Sequence, residues 1–206
     1  MKFISLGSDC SPATNTCRHF NKEAYPFDWI WSNIDFVIKT FETDYFEFTE
    51  VEKLNFVRSN NAGYIFNNNC EGKSERLCSA LSVHDAEKMT NEQFIINIPI
   101  INEKYKRRFA RLYEILNSNE DIFLIRMALE NSQGAVKNIP DDIEKLNLLI
   151  KLLKNKFTAN ITLILVDKNT DIQYNATSIH ENIKIFKSFT ELNKFLLNIN
   201  HLSPAT

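Results

Sequence analysis

Cys10 occupies a position where a thiol can become a nucleophile. Lys2–Leu6 reads as a short strand that stops at Gly7, and Gly7-Ser8-Asp9-Cys10 is then a polar turn before a helix running to about Phe20. Ser11 suits the N-cap of that helix, and Pro12 sits where a missing N–H costs nothing. The unpaired N–H groups and the dipole at a helix start favour a thiolate. The same end of the helix, with Gly7, Ser8, Asp9 and Ser11 around it, could hold an oxyanion. Ser8 is a competing nucleophile. Free Cys is more commonly a small, inert, buried hydrophobe. One glycine and no Gly-Lys-Ser/Thr exclude a phosphate-binding loop.

A thiol nucleophile needs a base. His84, followed by Asp85, falls in a loop or strand end; His19 is on the first helix, His180 in a polar loop near the last strand, and His201 in the tail. Asp28 stands between Phe27 and Trp29, so it must be paired or raised in pKa. It either caps its own turn, the commoner fate, or orients a histidine. Arg126 interrupts an apolar strand near its carboxyl end and requires a partner: Asp28, Glu130 or an anionic substrate. Lys104, Lys106, Arg107, Arg108 and Arg111 share one helix, where a solvated charged face is the ordinary explanation and acidic or nucleotide ligands the other. Trp29, Arg126 and Arg108 are the candidates for substrate contact.

The elements that must position these groups can be read along the chain. The Tyr25–Trp29 turn precedes a helix at about 33–41, with Ile34, Val37, Ile38 and Phe41 inward. Phe56-Val57 and Tyr64-Ile65-Phe66 could pair around Asn61-Ala62-Gly63, within an irregular insertion around residues 42–100. The second half predicts a helix over 102–118, a buried strand over 122–127 and a helix over 141–157 capped by Asp141. Strands over 161–166 and 183–186 and a last helix capped by Thr190 follow. The expectation is one α/β domain over residues 1–206, with three layers and a mostly parallel sheet covered by helices.

The chain has 206 residues, is 44% hydrophobic and includes 16 Phe, enough for a core without metal or disulfide staples. A net charge of -2 gives no electrostatic reason to expect nucleic acid or a membrane surface as partner. Neither a secretory signal nor an apolar run of about 20 residues is legible, so a cytoplasmic protein is expected, in the host cytoplasm if the source is viral. The spacings Cys10 to Cys17 and Cys70 to Cys78 match no zinc pairing, and no cofactor or metal is expected.

Ile4-Ser5-Leu6-Gly7-Ser8-Asp9-Cys10, then Pro26-Phe27-Asp28-Trp29, His84-Asp85 and Tyr105–Arg111 resemble, in this order, an uncharacterised domain family. Its members occur in bacteria and large DNA viruses and are described as predicted papain-like cysteine peptidases. The resemblance spans about Ile4 to Arg126. It implies Cys10 as nucleophile and His84 as base, with His84 on an antiparallel strand, as in a papain-like core. The parallel second half looks more like a Rossmann-like or esterase-like fold. Three functions follow. The first is a cysteine hydrolase or transferase acting on an acyl or peptide bond, with Asp28 or Asp85 orienting His84. The second is a Ser8-based esterase. The third is a non-catalytic domain that holds an anionic or nucleotide-sugar ligand at the same turn.

Overall fold

The computed structural model describes residues 1–7, 10–32, 34–44, 54–59, 62–68, 79–82, 89–128, 139–167 and 179–202. Two four-stranded sheets organise them. The first is all parallel, built from β1 (Lys2–Ser5), β6 (Asp121–Met127), β7 (Asn160–Val166) and β8 (Ile183–Phe186) in the order β1-β6-β7-β8. The second is antiparallel, in the order β2-β5-β4-β3. Its strands are β2 (Ile30–Ser32), β3 (Leu54–Ser59), β4 (Ala62–Asn68) and β5 (Ser79–Ser82).

Alternation along the parallel strands builds two cores, because successive side chains point to opposite faces. Ile4, Ile122, Leu124, Ile161, Leu163 and Leu165 pack into a large core with α2 (Ile34–Thr43), α3 (Asn91–Leu116) and α4 (Ile139–Lys156). Phe3, Ile125, Ile164 and Val166 face a smaller core with Cys17 from the first helical segment and Leu192 and Leu196 of α5 (Phe189–Leu202). Helices therefore cover both faces of a parallel sheet, the three-layer α/β arrangement expected. No helix of the described residues is long and apolar enough to cross a membrane.

The hairpin expected around Asn61-Ala62-Gly63 is present, with Phe56 opposite Ile65 and Val57 opposite Tyr64. The insertion around 42–100 is nevertheless less irregular than expected, because β2 and β5 complete a sheet with that hairpin. Helix α3 also begins at Asn91, eleven residues before the expected 102. A capping box starts it: Thr90 Oγ1 accepts from Gln93 N (3.3 Å), and Thr90 N donates to Gln93 Oε1 (2.9 Å). Pro99 lies inside this helix, at a cost of about 3 kcal/mol in an ordinary helix interior. Burial of Phe94, Ile98, Ile101, Tyr105, Phe109, Leu112 and Leu116, three or four residues apart, offsets that cost. The last helix is capped by Ser188, whose Oγ accepts from Glu191 N (3.1 Å), and not by Thr190.

Candidate active site

The turn after β1 is held by three elements at once. Leu6 N extends the ladder to Ile125 O (2.8 Å), and the chain then reverses at Gly7, whose φ of 78° is a conformation that side chains rarely adopt. Gly7 N donates to the buried Ser5 Oγ (3.1 Å). A Cβ on Gly7 would lie 2.5 Å from Ser32 Oγ and 2.9 Å from Ile30 O, so β2 is pressed directly against this glycine. Arg126, 3% exposed, donates from one nitrogen to Leu6 O (3.2 Å) and from another to Ser32 O (2.8 Å). The partners expected for Arg126 were Asp28, Glu130 or a substrate. These two bonds make it a bracket tying the end of β1 to β2, and Glu130 lies outside the described residues.

Cys10 is partly exposed, and its carbonyl accepts from Thr14 N (2.9 Å). That bond makes Cys10 the cap position and Ser11 the first helical residue, a correction by one residue to the expected Ser11 cap. The thiol-bearing residue is therefore itself the cap of the helix. The helix passes through a π turn, Ala13–Cys17, before a short α-helical end, α1 (Arg18–Phe20). Cys17 is buried against the smaller core. Burial, then the charge of Asp28, raises its thiol well above the usual range, so it is inert at neutral pH.

Asp28 is 6% exposed. Tyr25 N donates to its Oδ2 (2.8 Å), closing the Tyr25–Asp28 turn, while its Oδ1 is buried without a hydrogen bond. Desolvation pushes the carboxyl up to about 6, opposed by the Tyr25 N–H and by Arg108, Arg18 and Arg111. The visible role of Asp28 is thus that of a turn cap. Because its folded pKa exceeds the ordinary value of about 3.9, its contribution to stability is complete below pH 4 and is lost as pH rises through 6. Measured against Asp28→Asn, the wild type should lose about 2–3 kcal/mol between pH 4 and pH 7. Urea unfolding of both proteins across that range checks this, and a difference independent of pH would refute it.

The other expected residues fall in several places. Ser8, Asp9, His84 and Asp85 lie outside the described residues, as do Cys70 and Cys78. His19 is exposed on α1. His180 has a structural setting: its N donates to Asn147 Oδ1 (2.9 Å) and its Nδ1 accepts from Asn182 N (3.1 Å). Trp29 is half-buried, with the Arg18 guanidinium 4.9 Å from its ring centre. Arg108 lies 5.7 Å from the Tyr105 ring. The basic stretch of α3 is only partly a solvated face: Lys106 and Arg107 are exposed, but Lys104, Arg108 and Arg111 are half-buried. Burial, then Arg108 and Arg107, lower Lys104 to about 8. Two surface grooves of about 550 and 570 Å³ follow α3, and neither is lined by Cys10 or Gly7. Sequence reasoning missed Ser5 and Ser32. An isolated serine carries no periodic signal, and their roles depend on chain crossings the sequence does not display.

The site thus joins a parallel α/β sheet to an antiparallel sheet at a glycine turn, with a cysteine at the start of the following helix. The chain belongs to the family whose model it matches over residues 1–169, DUF1796, described as a putative papain-like cysteine peptidase. No curated protein and no solved structure matches the chain.

Proposed function

We propose that the protein is a cysteine hydrolase acting on an acyl or peptide bond, with Cys10 as nucleophile, His84 as base and Asp85 orienting His84. The observation that carries this reading is the register of β5. Ser82 stands opposite Ile30, and the carbonyl of Ile30 lies against Gly7. His84 follows Ser82 by two residues, so at most about 7 Å of chain can separate it from a strand end already at the nucleophile turn. The arrangement also joins the two sequence resemblances. A parallel sheet carries the cysteine, and an antiparallel strand leads to the histidine.

In this reaction the Cys10 sulfur forms a bond to the substrate carbonyl carbon as His84 takes the thiol proton. The N–H groups at the start of the Ser11 helix stabilise the oxyanion. The leaving group departs with the proton from His84, and water, deprotonated by His84, then cleaves the thioester and restores the thiol. Asp28 is left as a turn cap. Arg126 bonds the backbone carbonyls of Leu6 and Ser32, which favours a role in the frame of the turn.

The pH dependence of Cys10 alkylation by iodoacetamide tests this, with the buried Cys17 as internal control. Cys10 should react with an apparent pKa at least one unit below the ~8.5 of a free thiol, and His84→Ala should remove that advantage. A Cys10 as slow as Cys17 would overturn the proposal. Labelling of Ser8 by a fluorophosphonate would replace it with the esterase reading.

A further inference from the structure

The helix that follows Cys10 carries a π turn, Ala13–Cys17, and π turns are rare. A residue outside the helix holds this one. Asn193 of α5 does so with both ends of its amide. Its Oδ1 accepts from Thr16 Oγ1 (2.9 Å), and its Nδ2 donates to Asn15 O (2.8 Å). Thr16 is fully buried and Asn193 half-buried, so the hydroxyl end of this bond is shielded from competing water, while the bond to Asn15 lies at the surface. From Asn15 the connection continues, because its own Nδ2 donates to Ser11 O (3.0 Å), next to Cys10. A chain of side-chain bonds therefore runs from α5 through the π turn to the residue beside the thiol. Leu192 and Leu196 flank Asn193 in sequence and pack with Cys17 in the smaller core, which fixes α5 against this turn. The clamp comes from beyond the stretch matched by the family model, which ends at residue 169.

We propose that Asn193, with Thr16, is a positioning residue that holds the π turn in register and so sets the orientation of Cys10 toward the helix N–H groups and its base. This rests on the reading of Cys10 as nucleophile. Asn193 touches no reacting atom; it acts through Asn15 and Ser11. Without the clamp the turn relaxes toward ordinary α-helical spacing, the first turn rotates, and the thiol leaves its aligned position.

The test follows Cys10 alkylation by iodoacetamide against pH, using fragment mass spectrometry to separate Cys10 from Cys17, in the full chain and in Thr16→Val, Thr16→Ser and Asn193→Leu. Thr16→Val keeps the shape and removes only the hydroxyl, so it reports even if Asn193→Leu does not fold. The expected result is a Cys10 rate at pH 7 about tenfold lower in Thr16→Val and Asn193→Leu, from an apparent pKa about one unit higher. Thr16→Ser, which restores the hydroxyl, should keep the wild-type profile. A melting temperature that falls in Thr16→Val while its alkylation profile stays that of the wild type would make the clamp merely structural and overturn the proposal. A wild-type Cys10 that alkylates like a free thiol would instead overturn the nucleophile reading itself.

Discussion

Gly7→Ala should be among the most damaging single-methyl additions this chain can receive. At φ 78° a side chain costs about 1–2 kcal/mol before any contact is considered. The new Cβ would also sit 2.5 Å from Ser32 Oγ and 2.9 Å from Ile30 O, distances that real Cβ atoms essentially never show. One of these atoms is backbone in β2, which cannot yield without disturbing its pairing with β5. The combined loss should reach at least about 3 kcal/mol, which for a chain of this size lowers the melting temperature by about 6–12 °C. Ser32→Ala separates the two contacts, because it deletes the Oγ and leaves Ile30 O in place. Calorimetry on Gly7→Ala and on Gly7→Ala/Ser32→Ala should show a large loss and then a partial recovery. A single variant that melts within 1 °C of the wild type would mean that β2 does not press on this turn. Because the residue also begins the turn carrying Cys10, the same variant should lose the fast alkylation of that thiol.

Much of this frame was legible in the sequence, and what was missed was missed for identifiable reasons. β6 and β7 are short apolar runs between polar boundaries, a signal that survives because both of their faces are covered. The hairpin β3–β4 announced itself through Asn61-Ala62-Gly63. β2 and β5 did not, since Ile30-Trp31-Ser32 is only three residues and Ser79-Ala80-Leu81-Ser82 contains no β-branched residue. Their identity as strands comes from pairing with each other and, for β5, with β4, a non-local cause. The early start of α3 was hidden by Pro99, although Thr90-Asn91-Glu92-Gln93 carried a readable capping box. At the site, the place of Cys10 at a helix start followed from Gly7 and Pro12, and only the cap was displaced by one residue. The Asn193 clamp joins residues 177 and 178 positions apart, and no local pattern encodes such a pair.

Arg126 shows how a functional residue type can serve the frame of a site. An arginine near the carboxyl end of an apolar parallel strand suggests a ligand contact, since that edge of an open sheet is where ligands bind. Here the guanidinium reaches two backbone carbonyls, one 120 and one 94 residues away in sequence. Its planar fork can serve two acceptors at once, which a lysine ammonium on a single stem does less well. Arg126→Met fills similar space but strands Ser32 O and leaves Leu6 O only its long bond from Ser32 Oγ (3.4 Å). An unpaired buried acceptor costs about 1–3 kcal/mol, so with the second carbonyl weakened as well a loss of about 3 kcal/mol is expected. In a chain of this length that is a fall of about 6–12 °C in melting temperature. Arg126→Lys should recover less than half of it, because one amine cannot span both carbonyls. The ligand-contact alternative makes the opposite forecast: Arg126→Met would keep the melting temperature and raise KM for an anionic substrate. Thermal denaturation of the two variants decides between them. An unchanged melting temperature in Arg126→Met would return Arg126 to the substrate, whereas a large fall with a poor lysine substitute fixes it as the bracket on which the Gly7–Cys10 turn is mounted.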